Sequence, residues 1–189
     1  MSLFREVAED AVYRVEGSAP SPSVVVPEGF SMRLVPIDRL TGPDWSGITS
    51  LSGRFSARYL RWRYRGRRTE VLLVERSMRA VAVLWVVPSE LIQRRYPFVD
   101  AGSSAIIACV TDPSCRGRGL YPAGVRAIAA SRHSAAYFIW AHKTNEASLR
   151  GIVKAGGVPI GEFTRVRWFR GLISSTAFRP KPRMADRDG

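Results

Sequence analysis

A chain of 189 residues is long enough for one domain with short flanking segments and excludes a second full-sized one. A hydrophobic fraction of 46% and a charged fraction of 24% are ordinary globular values, which excludes wholesale disorder and a membrane bundle. The formal charge of +13 is unusual and comes almost wholly from arginine, since Lys143, Lys154 and Lys181 are the only lysines. Arginine pairs bidentately with phosphate and carboxylate, so a polyanionic ligand fits: a nucleotide-linked molecule, an anionic lipid surface or RNA. Arginines scattered over a solvated surface account for the charge equally well.

In chain order, residues 1–28 hold the Ser/Pro-rich stretch GSAPSPSVVVPEG and read as an arm or linker leading into a domain over 29–175. The N-terminus has no apolar core of the secretory kind, and the longest uncharged apolar run, Ala80 to Ser89, is about half of what a bilayer-spanning helix needs. No membrane span is expected, and cytoplasmic residence is. Met32 to Val35 is a short strand. Arg54 to Tyr64 reads as a helix with Phe55, Tyr59, Leu60 and Trp62 near one face, aromatics that read as core or rim of the fold. Glu70–Glu75 and Ala80–Val87 form a hairpin of two buried strands about the turn Arg76 to Arg79, and Pro88 ends the second. Ser104 to Val110 is the next strand. A glycine-rich loop follows, then a helix over Leu120–Arg132 with Pro122 in its first turn. Ala136–Ala141 is a strand, Glu146–Ala155 a helix stopped by Gly156 and Gly157, and Val158–Phe169 a long last strand. Residues 176–189 read as a flexible basic tail. Antiparallel strands first and alternating strands and helices later indicate a single mixed α/β domain with helices on both faces of its sheet.

Cys109 and Cys115 are too few for a disulfide framework and lack the paired spacing of a zinc site, so both read as reduced thiols and no metal is expected. The segment from Ala108 to Ser131 carries most of the chemistry. A strand enters a loop whose glycines let backbone approach a ligand, and the loop turns directly into a helix N-terminus. First-turn amides lack intrahelical partners, so Arg118, Gly119, Leu120 and Tyr121 can present N–H groups to an anion such as a pyrophosphate. The segment has neither the Gly-Lys-Ser/Thr of a nucleoside-triphosphatase loop nor the GxGxxG spacing of a dinucleotide fold.

Thr111, Pro113 and then Arg116-Gly117-Arg118-Gly119-Leu120 resemble the acyl-CoA loop of the GNAT superfamily, with Tyr121 where that pattern has a second small residue. Asn145 with Ser148, Leu149, Lys154 and Gly156 resembles the family's later Asn, helix, Lys-x-Gly pattern, and Tyr59 to Tyr64 is similar to a helix found ahead of the central hairpin in some members. The resemblance spans about residues 30 to 170. It implies a mixed, mostly antiparallel central sheet with splayed parallel strands in the middle and helices on both faces. It further implies acetyl-CoA or another acyl-CoA as co-substrate, held by Cys109, Val110, Thr111, Arg116, Gly117, Arg118, Gly119, Leu120, Tyr121 and Asn145.

The same resemblance implies direct transfer to an amine or hydroxyl, with the pantetheine arm between the strands Ser104–Val110 and Ala136–Ala141 and a backbone N–H near Val110 for the oxyanion. Many members carry a Tyr seven residues after the Asn to protonate the departing thiolate. Ile152 stands there in this chain, which leaves Tyr121 and His142 as the catalytic candidates, with Glu70, Glu90 and Asp100 as alternatives and a water relay as a route needing no side-chain base. The acceptor is a small molecule or a carrier-linked metabolite. The arginine excess adds an anionic carrier, aminoacyl-tRNA or a nucleotide sugar, if Arg61, Arg63, Arg65, Arg67 and Arg68 cluster with Arg94 and Arg95. A non-catalytic RNA-binding or regulatory module is the remaining reading, disfavoured because regularly interleaved aromatics are missing from the arginine-rich region after Tyr64. The sequence is compatible with a homodimer and does not require one.

Overall fold

The computed structural model describes residues 5–17, 25–131, 133–168 and 173–181. Eight strands form one sheet: β1 (Arg5–Glu16), β2 (Ser31–Pro36), β3 (Glu70–Arg76), β4 (Arg79–Pro88), β5 (Ser104–Thr111), β6 (Ala136–His142), β7 (Val158–Trp168) and β8 (Ile173–Pro180). Their order across the sheet is β2-β3-β4-β5-β6-β1-β7-β8, and among the described residues β5 with β6 is the one parallel pair. Four helices pack on it: α1 (Gly42–Ser52), α2 (Arg54–Tyr64), α3 (Leu120–Ala130) and α4 (Glu146–Lys154).

The hairpin β3–β4 forms because both strands are apolar on both sides. Val71, Leu73, Val83, Trp85 and Val87 enter one core with Ile48 of α1 and Ala57, Leu60 and Tyr64 of α2. Leu72, Val74, Leu84 and Val86 enter a second core with Leu120, Val125 and Ile128 of α3 and Ile152 of α4. Helices therefore cover both faces, as expected. No helix among the described residues is long and apolar enough to cross a membrane.

Residues 5–16, expected to be part of an arm, are instead an interior strand, antiparallel to β6 on one side and to β7 on the other. Six of its twelve residues are charged, which hides the alternation that sends Val12 to one core and Tyr13 and Val15 to the other. The buried charge has a partner, Asp10, 1% exposed, meeting Arg165 at 2.7 Å, while the more exposed Glu9 meets Lys143 at 3.2 Å. At the far end, residues 173–180 pair with β7 as an edge strand, so part of the expected tail belongs to the sheet. β7 is consequently not the last strand, and Phe169 and Arg132, which the expected boundaries included, lie outside the described residues.

Helix α1 starts at a capping box in which Thr41 and Asp44 satisfy each other's ends of the first turn. In α2 the expected aromatic core is reversed: Ala57, Leu60 and Tyr64 face inward, whereas Phe55, Tyr59 and Trp62 are 81%, 55% and 75% exposed. Phe55, Tyr59 and Trp62 do share a stripe, but one pointing to solvent.

Candidate functional site

The parallel strands β5 and β6 pair only through Ser104, Ala105 and Ile106 against Tyr137, Phe138 and Ile139. Beyond Ile106 they separate, and β5 has lost its neighbour on that side by Cys109, Val110 and Thr111. A bulge accompanies the separation: Val83 pairs with Val110 and Trp85 with Ile107, so Leu84 of β4 opposes both Ala108 and Cys109. Ala108 takes a φ of +48°, a conformation that costs an L-residue about 1–2 kcal/mol. Such strain concentrates where a fold re-aims its backbone for a ligand.

From Thr111 the chain makes a tight turn, in which the Asp112 carboxylate accepts from the Ser114 N–H at 2.9 Å and the Ser114 hydroxyl at 2.6 Å. Those bonds hold the Asp112 carboxyl below the usual carboxylate range. Gly117 and Gly119 then adopt φ of +76° and +74°, and a Cβ built on either would meet nothing within 4 Å, so both glycines serve backbone conformation and leave open space above the loop. Among the described residues the amides of Gly117, Arg118 and Gly119 have no backbone acceptor. The first backbone bond of α3 is Ala123 N–H to Gly119 C=O, which leaves Leu120 and Tyr121 as further free donors at the helix's positive end.

Loop, α3, α4 and the free edge of β5 enclose a cleft of about 560 Å³. Cys109, Val110, Thr111, Arg116, Gly117, Gly119, Leu120, Tyr121 and Asn145 line it, so nine of the ten residues expected to hold the co-substrate converge there; Arg118 does not line it. Arg116, Arg150 and Lys154 also line it, with no carboxylate among the lining residues. Arg150 is tied to Glu146 at 3.0 Å, and Lys154 has no side-chain partner among the described residues. Asn145 is the N-cap of α4: its carbonyl oxygen accepts from Ser148 N–H at 3.2 Å, and its amide NH2 stays free to donate into the cleft.

Tyr121 projects from α3 with its ring against Gly151 of α4, and Cys109, whose thiol donates to the Ile107 C=O at 3.7 Å, lies near enough to the Tyr121 hydroxyl for each to influence the other's ionisation. Burial, and then Cys109 itself, push the Tyr121 phenol well above its ordinary value. Burial likewise pushes the Cys109 thiol up to about 12, against a smaller opposing effect of Tyr121, so Cys109 remains a neutral thiol at ordinary pH. Cys115 is buried in the second core, and both thiols are free.

His142 ends β6, is exposed, and does not line the cleft. Its Nδ1 accepts from the Thr144 N–H at 3.3 Å and lies 2.7 Å from the Thr144 hydroxyl. A backbone N–H can only donate, so the neutral ring carries its proton on Nε2. Glu70 and Glu90 lie away from this cleft: both line a second one, of about 640 Å³, with Ser104 at the start of β5 and His133, which meets Glu70 at 2.8 Å. Asp100 is exposed in the turn before β5.

A search by sequence finds no matching family model and no matching curated protein. By structure the chain is similar to an acetyltransferase of the GNAT family from Colwellia psychrerythraea, 13% identical with a TM-score of 0.58, over 94% of this chain and 57% of that one. It is similar to a GCN5-related N-acetyltransferase from Sphaerobacter thermophilus, 16% identical with a TM-score of 0.59, over 88% and 53%. A third likeness is to a tandem GNAT protein from the clavulanic acid biosynthesis pathway, 13% identical with a TM-score of 0.58, over 92% and 54%. The chain has the GNAT fold. It spans little more than half the length of each of these three structures.

On the GNAT fold, the position seven residues after Asn145 belongs to Ile152, which is 0% exposed in the second core and has no proton to give. Tyr121 on α3 brings a hydroxyl to the cleft instead. Arg150 and Gly151 were not singled out in advance, and Lys154 was named as part of the Lys-x-Gly pattern without a place in the cleft. Their signal was spacing: Ala147, Gly151 and Lys154 recur at i, i+4 and i+7 after Asn145 and share a face of α4.

Proposed function

We propose that the chain is an acyltransferase that moves an acetyl or other acyl group from acyl-CoA directly to an amine or hydroxyl while both substrates are bound. The observation that carries this reading is the continuity of two features: the free edge of β5 from Cys109 to Thr111 runs into a loop and helix N-terminus whose cleft is lined by cations and by no carboxylate. A long thiol ester ending in phosphates fits that sequence of surfaces.

The acyl-CoA supplies the activated acyl group; everything else falls to the chain. The amides of Gly117 to Tyr121, with Arg116 and Lys154, hold the phosphates, and the Asn145 amide donates to the arm. The backbone at Cys109 to Thr111 pairs with the pantetheine, and an N–H near Val110 stabilises the oxyanion. Tyr121 keeps its proton, because its phenol is a weaker acid than a departing thiol. It therefore assists the leaving thiolate by donating a hydrogen bond rather than by surrendering the proton. His142, held with Nε2–H outward, is a donor that orients an acceptor in this conformation, and removal of the acceptor's proton passes to water.

The test is thiol release from acetyl-CoA across a panel of primary amines, amino sugars and alcohols. Release that depends on one acceptor class, and that falls in Tyr121→Phe, supports the reading; thioester turnover indifferent to every acceptor counts against it. A second reading keeps the fold and takes a polyanionic acceptor, aminoacyl-tRNA or a nucleotide-linked substrate. Its support is that Arg63 lies over the Tyr64 ring at 5.4 Å and donates to Leu91 C=O at 3.2 Å, which draws part of the arginine set toward the segment that carries Arg94 and Arg95.

A further inference from the structure

The outer face of α2 is the most conspicuous surface that acyl transfer leaves unexplained. At 3.6 residues per turn Phe55, Tyr59 and Trp62 fall within one narrow stripe about 10 Å long, on the side opposite Ala57, Leu60 and Tyr64. The inner residues already satisfy the helix's need for burial, yet the outer rings of Phe55 and Trp62 are 81% and 75% exposed. A surface helix with one apolar face in the core normally turns charge to water on the other. Here the three rings are bordered by arginine: Arg54 lies over the Phe55 ring at 5.5 Å, and Arg58 and Arg65 follow on the same flank. The stretch from Arg54 to Arg68 holds seven arginines and no carboxylate. Arg61 and Arg63 are spent inward, on the Trp45 ring at 4.7 Å and on Leu91 C=O, whereas Arg54, Arg58 and Arg65 have no ion-pair partner among the described residues.

We propose that this face docks the protein on an anionic lipid bilayer, with Phe55, Tyr59 and Trp62 entering the headgroup boundary and Arg54, Arg58 and Arg65 reaching lipid phosphates. Aromatic rings that carry a polar edge partition to that depth, and arginines spread their stems along the apolar surface while the guanidinium stays at the phosphates. Charge decides against a second copy as the occupant, because a self-paired interface would set two seven-arginine segments against each other. Geometry decides against a single-stranded nucleic acid. The rings stand out from the surface of a helix, and those of Tyr59 and Trp62, 6.3 Å apart and tilted by 43°, do not form a continuous stacking platform. Because α2 packs on the core opposite α3 and α4, docking turns the α1–α2 side of the sheet to the lipid and leaves the acyl-CoA cleft facing water. The inference does not depend on the acyltransferase reading.

The experiment is co-sedimentation of the full chain with vesicles of phosphatidylcholine alone and of equal parts phosphatidylcholine and phosphatidylglycerol, at low and high salt. Binding to the anionic vesicles only, weakened by salt, is expected. Phe55→Ser/Trp62→Ser should reduce it by at least about tenfold, and Arg58→Gln alone by about fivefold. Both variants alter exposed residues, and an unchanged melting temperature verifies their folding. No binding to anionic vesicles overturns the proposal, as does binding that Phe55→Ser/Trp62→Ser leaves intact. Capture of single-stranded oligouridine in place of vesicles, lost in the same double variant, overturns it in favour of nucleic acid.

Discussion

Gly151→Ala sets two known effects against each other at the centre of the cleft. In a helix interior the exchange by itself is favourable by about 1 kcal/mol, because alanine loses less backbone entropy. At this position the new Cβ would stand 2.6 Å from Tyr121 Cδ1 and 3.0 Å from Cε1. Real Cβ atoms do not approach so closely, so the ring must move, and it is held between α3, which carries it, and α4. Overpacking of that kind costs about 1–3 kcal/mol. The packing cost wins by about 1 kcal/mol, which for a chain of this size lowers the melting temperature by about 2–4 °C. Thermal unfolding followed by circular dichroism in a double-mutant cycle isolates the cause. In a Tyr121→Ala background there is no ring to displace, and Gly151→Ala should instead raise the melting temperature by a similar amount, a coupling of about 2 kcal/mol. If Gly151→Ala is stabilising to the same extent in both backgrounds, Tyr121 is not wedged between the helices and its place in the cleft is wrong.

The turn of the central hairpin offers a gain. Ser77 and Met78 both have positive φ, 50° and 63°, and Met78 is 92% exposed, so Met78→Gly should stabilise by about 1 kcal/mol in urea unfolding; destabilisation would mean that the exposed side chain has a partner. Asp10→Ala leaves Arg165 beside a buried strand without its carboxylate and should cost about 3–5 kcal/mol. A loss below about 1 kcal/mol would return residues 5–16 to the status of an arm. Asp44 is pushed up by burial but more strongly held down by Arg33 and by the N–H and hydroxyl of Thr41, so its carboxyl lies below the ordinary value when folded. Its contribution is therefore complete above about pH 4 and is lost as pH falls through the lower folded value, giving an acid limb in the urea midpoint that Asp44→Asn should flatten. An identical pH profile in the variant would contradict the ion pair.

Legibility followed how directly each element's burial is written in its own residues. β3, β4, β5 and β6 are apolar on both sides, and α3 and α4 carry their stop and start signals locally at Pro122, Asn145 and Gly156, so all were placed within a few residues. β1 was missed because charge occupies half of it, and that charge is neutralised by Arg165 and Lys143, far away in sequence. α1 was missed because GPDWSGITSLS is rich in weak helix formers; its local signals were the Thr41 to Asp44 capping box and Pro43 in the first turn. β8, ISSTAFRP, is a polar edge strand whose pairing is supplied by β7. On α2 the three aromatics Phe55, Tyr59 and Trp62 do share a face, but it is the outer one, and Leu60, grouped with them, turns inward; periodicity gives a face but not which face meets the core. At the site, the loop was legible from its glycines and the helix N-terminus that follows them, and Asn145 from the resemblance to the GNAT pattern. The wedging of the Tyr121 ring against Gly151 and the tautomer of His142 depend on contacts that no spacing encodes.

The most direct test of the account is the melting temperature of the wild type, Gly119→Ala and Gly119→Glu with and without CoA and acetyl-CoA. Both variants bear the same strain at a φ of +74°, so the alanine isolates that cost from the effect of a carboxylate above the loop. The account predicts stabilisation of the wild type and of Gly119→Ala, about 2.7 kcal/mol when ligand is at a hundredfold excess over its Kd, and none for Gly119→Glu. No stabilisation of the wild type, or stabilisation that survives Gly119→Glu, would contradict it.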